Sequence, residues 1–311
     1  MFYLLHGDNY FESKEALDEL INDLQKKKED LEIEIIHGDI ANNLDEFFST
    51  SDAFSLFNSS RLLVIKRSFS NKKTSILGEV VEYLNEKKDL DIVFWEDRSA
   101  DKRLKLYKFL SKKGVVREFQ NKKPAALRTW VIEQFGAEKI KISSNHADAI
   151  IFRVGDDQML LHKEISKIIS LLKIDKRSEF AEEYLEMFSQ SAEASIWNFI
   201  DALTERRHKD ALSDIDRLVR DKADYSKNIG MIVRQLRLLT QVRSVLDTGS
   251  GDGIRSLGLH PFVLGKIKNQ VEGFDLEKLS TLYRRLVNLD LSVKQGRIDE
   301  KLGLSLYVLA F

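Results

Sequence analysis

Cysteine is absent from the 311 residues. Disulfides, thiolate metal sites, iron–sulfur clusters and thiol nucleophiles are thereby excluded. Proline occurs only twice, too rarely for a proline-rich linker. No apolar run approaches the roughly 20 residues that span a bilayer as a helix. The start Met1-Phe2-Tyr3-Leu4-Leu5 is apolar but has no basic residues and stops at His6-Gly7-Asp8, so it does not read as a signal peptide. Neither sign of charge is in excess: 49 Lys and Arg stand against 50 Asp and Glu, net −1. A dedicated nucleic-acid binder would be strongly basic. What is present is 43% hydrophobic and 32% charged residues, too apolar for a disordered chain and too charged for a membrane one. At about 100–200 residues per domain the length allows two or three domains. Composition points to a soluble, intracellular, helix-rich protein.

The first part of the chain alternates short apolar runs with amphipathic stretches. Strands are expected at Phe2–Leu5, Glu32–His37, Arg61–Lys66, Asp91–Trp95 and Val115–Phe119. A helix is expected from Phe11 to Lys27, with Leu17, Leu20, Ile21 and Leu24 at helical spacing. Further helical patterns lie near Leu44–Ser49, Thr74–Lys87 and Asp101–Ser111, the last with Asp101 as N-cap and Gly114 as its end. Such alternation implies a parallel sheet with helices on both faces. After Pro124 strand signals vanish. Pro124 suits the first turn of a helix that Gly136 would end. Asn145–Val154, Gln158–Leu172 and a short Ser178–Phe188 segment follow. From about Ser195 the pattern is helical throughout: Ile196–Thr204, His208–Arg220, Asn228–Asp247, Pro261–Val271, Asp275–Gln295 and Asp299–Phe311. The resulting division is an α/β domain over 1–123, a small helical domain over 124–192 and a second helical domain over 193–311.

The first strand–turn–helix is where a phosphate-binding loop sits in nucleotide-binding α/β domains. That chemistry needs a second glycine and a Lys-Ser/Thr pair. Counted from Gly7, Glu12 stands at the glycine and Ser13 at the lysine, while Lys14 is one place late and is followed by Glu15. A carboxylate there repels phosphate. The fourth strand ends in Trp95-Glu96-Asp97, which reads either as a magnesium-holding acid or as a polar strand end. The six histidines are scattered, without a His-x-x-x-His pair, and read as surface or capping residues. No Gly-x-Ser-x-Gly elbow is present. Phe54, Leu56 and Phe57 lie together among small polar residues. They read either as the core of a short helix or as an outward anchor for a partner's pocket.

Several short motifs, in order along nearly the whole chain, resemble the delta subunit of the bacterial DNA polymerase III clamp loader. They are Tyr3-Leu4-Leu5-His6-Gly7-Asp8; Phe54-Ser55-Leu56-Phe57-Asn58-Ser59-Ser60-Arg61-Leu62-Leu63; Arg153-Val154-Gly155-Asp156-Asp157 with Leu160-Leu161 and Glu164-Ile165; Ile196-Trp197-Asn198-Phe199-Ile200-Asp201-Ala202-Leu203; Arg234-Gln235-Leu236-Arg237-Leu238-Leu239; Leu259-His260-Pro261-Phe262-Val263; and Leu289-Asp290-Leu291-Ser292-Val293-Lys294-Gln295-Gly296. The resemblance implies an AAA+-like α/β domain, a helical lid and a helical collar. It implies a subunit that binds and opens the ring-shaped sliding clamp in DNA replication in the cytoplasm. Leu56 and Phe57, with Ser55 and Phe54 beside them, would be the clamp-binding element. The implied partners are the sliding clamp (beta), the gamma/tau ATPase subunits and delta prime through the collar, and primed DNA through the assembled complex. No cofactor and no catalytic site are implied, which fits the degenerate loop at Gly7, Glu12, Ser13 and Lys14. The family's Ser-Arg-Cys arginine finger belongs to partner subunits and is impossible here without cysteine; Ser60-Arg61 runs on into Leu62.

Two rival readings are an active AAA+-type ATPase and a helical adaptor without a clamp partner. The absent Gly-Lys-Ser/Thr triplet counts against the first, and the second leaves Leu56 and Phe57 unexplained. Residues 193–311 hold 19 basic and 16 acidic residues, net +3, whereas 1–123 and 124–192 are each net −2. Lys294 and Arg297, with Arg234, Arg237 and Arg243, are candidate contacts to DNA or to a neighbouring subunit.

Overall fold

The runs Arg61–Lys66 and Asp91–Trp95 are apolar on both faces, as strands covered from both sides must be. They form β3 and β4 in the middle of a five-stranded parallel sheet. With β1 (Phe2–His6), β2 (Glu32–His37) and β5 (Val115–Glu118), the order is β2-β3-β4-β1-β5. In this computed structural model the described residues are 1–28, 30–48, 60–86, 90–218, 225–249, 253, 257 and 261–309. The chain divides into two compact units, Met1–Lys123 and Pro124–Phe311.

The strand period of two sorts the first unit's core into two layers. Leu5, Leu62, Val64, Val93 and Trp95 face α1 (Tyr10–Lys27) and bury its Ala16, Leu17 and Leu24. Leu4, Leu63, Ile65, Ile92 and Phe94 face the other way. There they meet Phe47 and Phe48 of α2 (Leu44–Phe48), Ile76, Leu77, Val80 and Leu84 of α3 (Thr74–Glu86), and Leu106 and Leu110 of α4 (Lys105–Lys113). The parallel sheet with helices on both faces is therefore present. Edge strand β2 leaves Ile33 and Ile35 exposed.

One cap differs from expectation. The N-cap of α4 is Leu104, with no side-chain bond, and not Asp101. Asp101 accepts from the backbone N–H of Arg103 (2.9 Å) and its guanidinium (Nη2, 2.7 Å), so its carboxylate stabilises a turn ahead of the helix. Gly114 does cap α4.

The second unit is built mostly of helices. Pro124 opens α5 (Pro124–Ala137), where its missing N–H has no helical acceptor to lose. Gly136 does not end α5; the chain turns at Lys139, with φ 61°. α6 (Ser144–Val154) is capped by Ser143, and α7 (Gln158–Ile174) by Asp157, whose carboxylate accepts from the Leu160 N–H at 2.9 Å. The Ser178–Phe188 stretch is helical only as a 3₁₀ segment, Glu182–Met187. Then come α8 (Ala192–Thr204), α9 (His208–Leu218), α10 (Tyr225–Thr248), α11 (Pro261–Val271), α12 (Leu276–Lys294) and α13 (Glu300–Leu309).

Ile232, Leu236, Leu239 and Val242 of α10 are all buried, as their spacing requires. They share a core with Phe199, Ile267, Val271, Leu286 and Leu304. Each such side chain contributes roughly 1.5–3 kcal/mol by burial. A polar chain crosses this core: Gln235 Nε2 donates to Gln270 Oε1 (2.9 Å), and Gln270 Nε2 donates to Asp201 Oδ1 (2.5 Å). It leaves these buried groups paired, which avoids a desolvation cost of about 1–3 kcal/mol each.

Candidate functional site

The β1–α1 connection follows from its sequence. Gly7 has φ +139°, and a Cβ there would lie 1.9 Å from the Phe119 carbonyl oxygen. Only glycine lets the two backbones approach so closely. Asn9 caps α1, its side chain accepting from the Glu12 N–H at 3.1 Å.

The amides that a phosphate would need are engaged within the protein. Gly7 N–H donates to Arg98 O (3.2 Å), and Asn9 N–H donates to Phe119 O (3.1 Å). The Asp8 carboxylate accepts from Ser99 N–H at 3.2 Å. The side chains are engaged as well. Glu12 Oε1 pairs with Lys122 Nζ at 2.5 Å. Ser13 is fully buried, and its hydroxyl donates to Tyr10 O at 3.1 Å. Lys14 pairs with Asp18 one turn along the same helix, at 2.7 Å. The four sequence-predicted residues thus sit in one loop and helix start, but their polar groups bind protein rather than converge on an open anion site.

His6, expected at the surface or in a cap, is instead fully buried. Its Nδ1 accepts from Ala100 N–H at 3.3 Å, and its ring meets Tyr107 edge-on at 5.7 Å. Burial lowers its pKa, with Lys102 adding to that and Glu118 and Asp8 opposing it. The misreading has a simple cause: the histidine terminates a strand whose burial comes from partners distant in sequence.

Glu96 is also fully buried. Burial pushes its pKa up to about 8, and the charges of Asp97 and Asp39 push the same way. Backbone N–H groups of Phe69 and Ser68 pull the other way, the Phe69 bond being 3.1 Å to Oε1. Its Oε2 and the Ser68 hydroxyl are buried without a hydrogen-bond partner among the described residues. Of the two readings of Trp95-Glu96-Asp97, the geometry favours a strand end tied to the segment after β3. Among the described residues no group of three or more His, Asp or Glu is placed to hold a metal.

In the second unit, Lys294 pairs with Asp290 one turn away (2.6 Å), while Arg297 is exposed and anchored through its backbone N–H to Ser292 O (2.9 Å). Arg234 and Arg237 are exposed along α10, and Arg243 is held by Asp247. Arg153 donates to Phe188 O (3.0 Å) and pairs with Glu186 (2.9 Å). Lys266, which nothing in the sequence singles out, stands 4.1 Å above the Phe152 ring. Val287, Leu291, Leu302, Leu306 and Leu309 are exposed on α12 and α13. Phe54, Ser55, Leu56 and Phe57 lie outside the described residues, as does His260.

Comparison with known proteins agrees along the chain. Residues 3–120 match the model of the family "DNA polymerase III, delta subunit", and residues 193–311 match "DNA polymerase III delta subunit, C-terminal domain". The DNA polymerase III subunit delta of Bacillus subtilis (strain 168) is 22% identical over 278 residues, covering 86% of this chain and 80% of that protein. The solved structure of the Bacillus subtilis DNA clamp loader delta protein superposes with a TM-score of 0.56 at 20% identity. That likeness covers 99% of this chain and 94% of that one, and shows a shared fold.

Proposed function

This chain belongs to the DNA polymerase III delta subunit family, and we propose that within a clamp loader it is the non-hydrolysing subunit that binds and opens the sliding clamp. The carrying observation is that the family models match both 3–120 and 193–311, the α/β region and the C-terminal helices. In this reading 1–123 is the AAA+-like domain with the clamp-binding element, 124–192 the lid and 193–311 the collar. Leu56 and Phe57, flanked by Phe54 and Ser55, enter an apolar pocket on the clamp. Burial of two such side chains is worth roughly 3–6 kcal/mol before ordering costs. Spent differentially on the open ring, that is enough to bias a closed–open equilibrium.

The geometry of the β1–α1 loop supports a subunit without ATP turnover. A phosphate would have to displace the Phe119 and Arg98 carbonyls from the loop amides and meet Glu12. ATP hydrolysis then falls to the gamma/tau partners. Together with delta prime, these dock on the collar, where the exposed leucines of α12 and α13 are suited to helix packing. Primed DNA is reached through the complex, and the work is cytoplasmic. Among the described residues no helix is long and apolar enough to cross a membrane.

The decisive measurement is capture of purified sliding clamp by the purified chain, paired with a hydrolysis assay. Stoichiometric capture without ATP turnover is expected. Failure to capture the clamp would leave the adaptor reading standing, and saturable magnesium-dependent turnover would leave the ATPase reading.

A further inference from the structure

Within the second unit, Phe152 and Arg153 of α6, Leu185 and Glu186 of the 3₁₀ segment, Asn198 of α8 and Lys266 of α11 line a cavity of about 480 Å³. That size lies within the range of small-molecule pockets. The walls are mixed. Phe152 and Leu185 are apolar, Asn198 offers amide donors, and two cations stand against one carboxylate.

The cations are not equivalent. Arg153 is fixed by Glu186 and the Phe188 carbonyl, so its charge is largely answered. Lys266 lies over the Phe152 ring at 4.1 Å. Burial lowers its pKa, Asp201 opposes that, and Arg153 adds to it. Asp201 itself accepts from Gln270, and burial raises its pKa. An ammonium withdrawn from water beside a second cation gains from a counter-anion. Ala194, in the first turn of α8, also lines the cavity, and a helix N-terminus favours negative charge.

We propose that this cavity binds a small organic anion, a carboxylate or a phosphate monoester carrying an apolar body, with Lys266 as its counter-charge. The anionic head meets Lys266 and Asn198, and the body lies along Phe152 and Leu185. Because its walls come from four different elements, an occupant ties α6 and the 3₁₀ segment to α8 and α11. Binding therefore raises the unfolding temperature by mass action. This site is separate from the β1–α1 loop and independent of the clamp.

The test is calorimetric titration of the full chain at low salt. Benzoate and adenosine monophosphate are the anionic probes, with benzamide and adenosine as neutral controls. Saturable binding of one or both anions, and of neither control, is expected. Lys266→Gln weakens it about tenfold or more, the scale of one lost charged contact, and Lys266→Arg restores it. Ala149→Leu narrows the cavity without altering charge, and also weakens binding. It carries the test if Lys266→Gln does not fold. Glu12→Gln and Lys14→Gln leave binding unchanged. The proposal is overturned if neither anion binds at millimolar concentration, if the neutral controls bind equally, or if Ala149→Leu and a folded Lys266→Gln both bind like the wild type.

Discussion

Glu12 and Lys122 form an ion pair, Oε1 to Nζ 2.5 Å, joining the first turn of α1 to the segment beyond β5. The carboxylate that disqualifies the loop for phosphate thus has a structural use. It fixes the start of the helix against the end of the sheet.

Rebuilding the missing triplet should therefore fail to restore nucleotide binding. In Glu12→Gly/Ser13→Lys/Lys14→Thr, a lysine replaces the fully buried Ser13, and the Lys122 pair is lost. Placing an unpaired charge there costs several kcal/mol. Denaturant melts should show a loss of roughly 3 kcal/mol or more, and fluorescent ATP should not bind. Tight ATP binding by a stable triple variant would show that the loop amides are readily released.

The paired substitution Leu56→Ala/Phe57→Ala should reduce clamp affinity by at least about a hundredfold, the equivalent of roughly 3 kcal/mol. The unfolding temperature should barely change. Surface plasmon resonance against immobilised clamp, together with calorimetry, distinguishes the cases. A variant that melts early would place both residues in the core.

Glu96 makes stability depend on pH. Its ordinary value is 4.5, and in the folded chain it is about 8. Between these values the native state holds a proton that the unfolded state has released. Its contribution to stability therefore falls as pH rises through this window, and levels off above it. The slope approaches about 1.4 kcal/mol per pH unit where the two states differ by a full proton. Glu96→Gln keeps the Oε1 acceptor for Phe69 and removes the titration. Melts of both proteins at pH 5.5 and 8.5 should show the variant gaining on the wild type at the higher pH. His6, lowered by burial, acts with the opposite sign toward acid, but equally in both proteins. Parallel curves would mean that Glu96 titrates normally.

Arg297 and Lys294 should differ if the collar meets DNA. Lys294 is already paired with Asp290, whereas Arg297 is exposed. Arg297→Ala should reduce the salt slope of DNA binding by the assembled complex by about 0.9, the value of one phosphate contact. Lys294→Ala should reduce it less. Equal, negligible changes would assign this turn to protein contacts.

The strands were legible because their chemistry is local. Glu32–His37, Arg61–Lys66 and Asp91–Trp95 are strands at the residues their alternation or apolar runs indicated. The same holds for α11, opened by Pro261, and for the buried stripe of α10. Capping was less legible. Asp101 has the right residue type, but Arg103 two places on competes for its carboxylate and wins. The weak phosphate loop was visible in the identities of Glu12 and Ser13, and the resemblance to clamp-loader delta subunits in motifs spread along the chain.

What the sequence by itself determined is thus the run of strands and helices, the unsuitability of the first loop for phosphate, and the family. Periods of two and of 3.6 residues, and the residues at one loop, are properties of neighbours in the chain. The tertiary structure alone decided that His6 and Glu96 are buried, that carbonyls of Arg98 and Phe119 take the loop amides, and that Lys266 stands over Phe152. Each depends on groups brought together by packing from distant parts of the chain. Proton affinity and cavity chemistry follow from desolvation and from those distances, which no local pattern encodes.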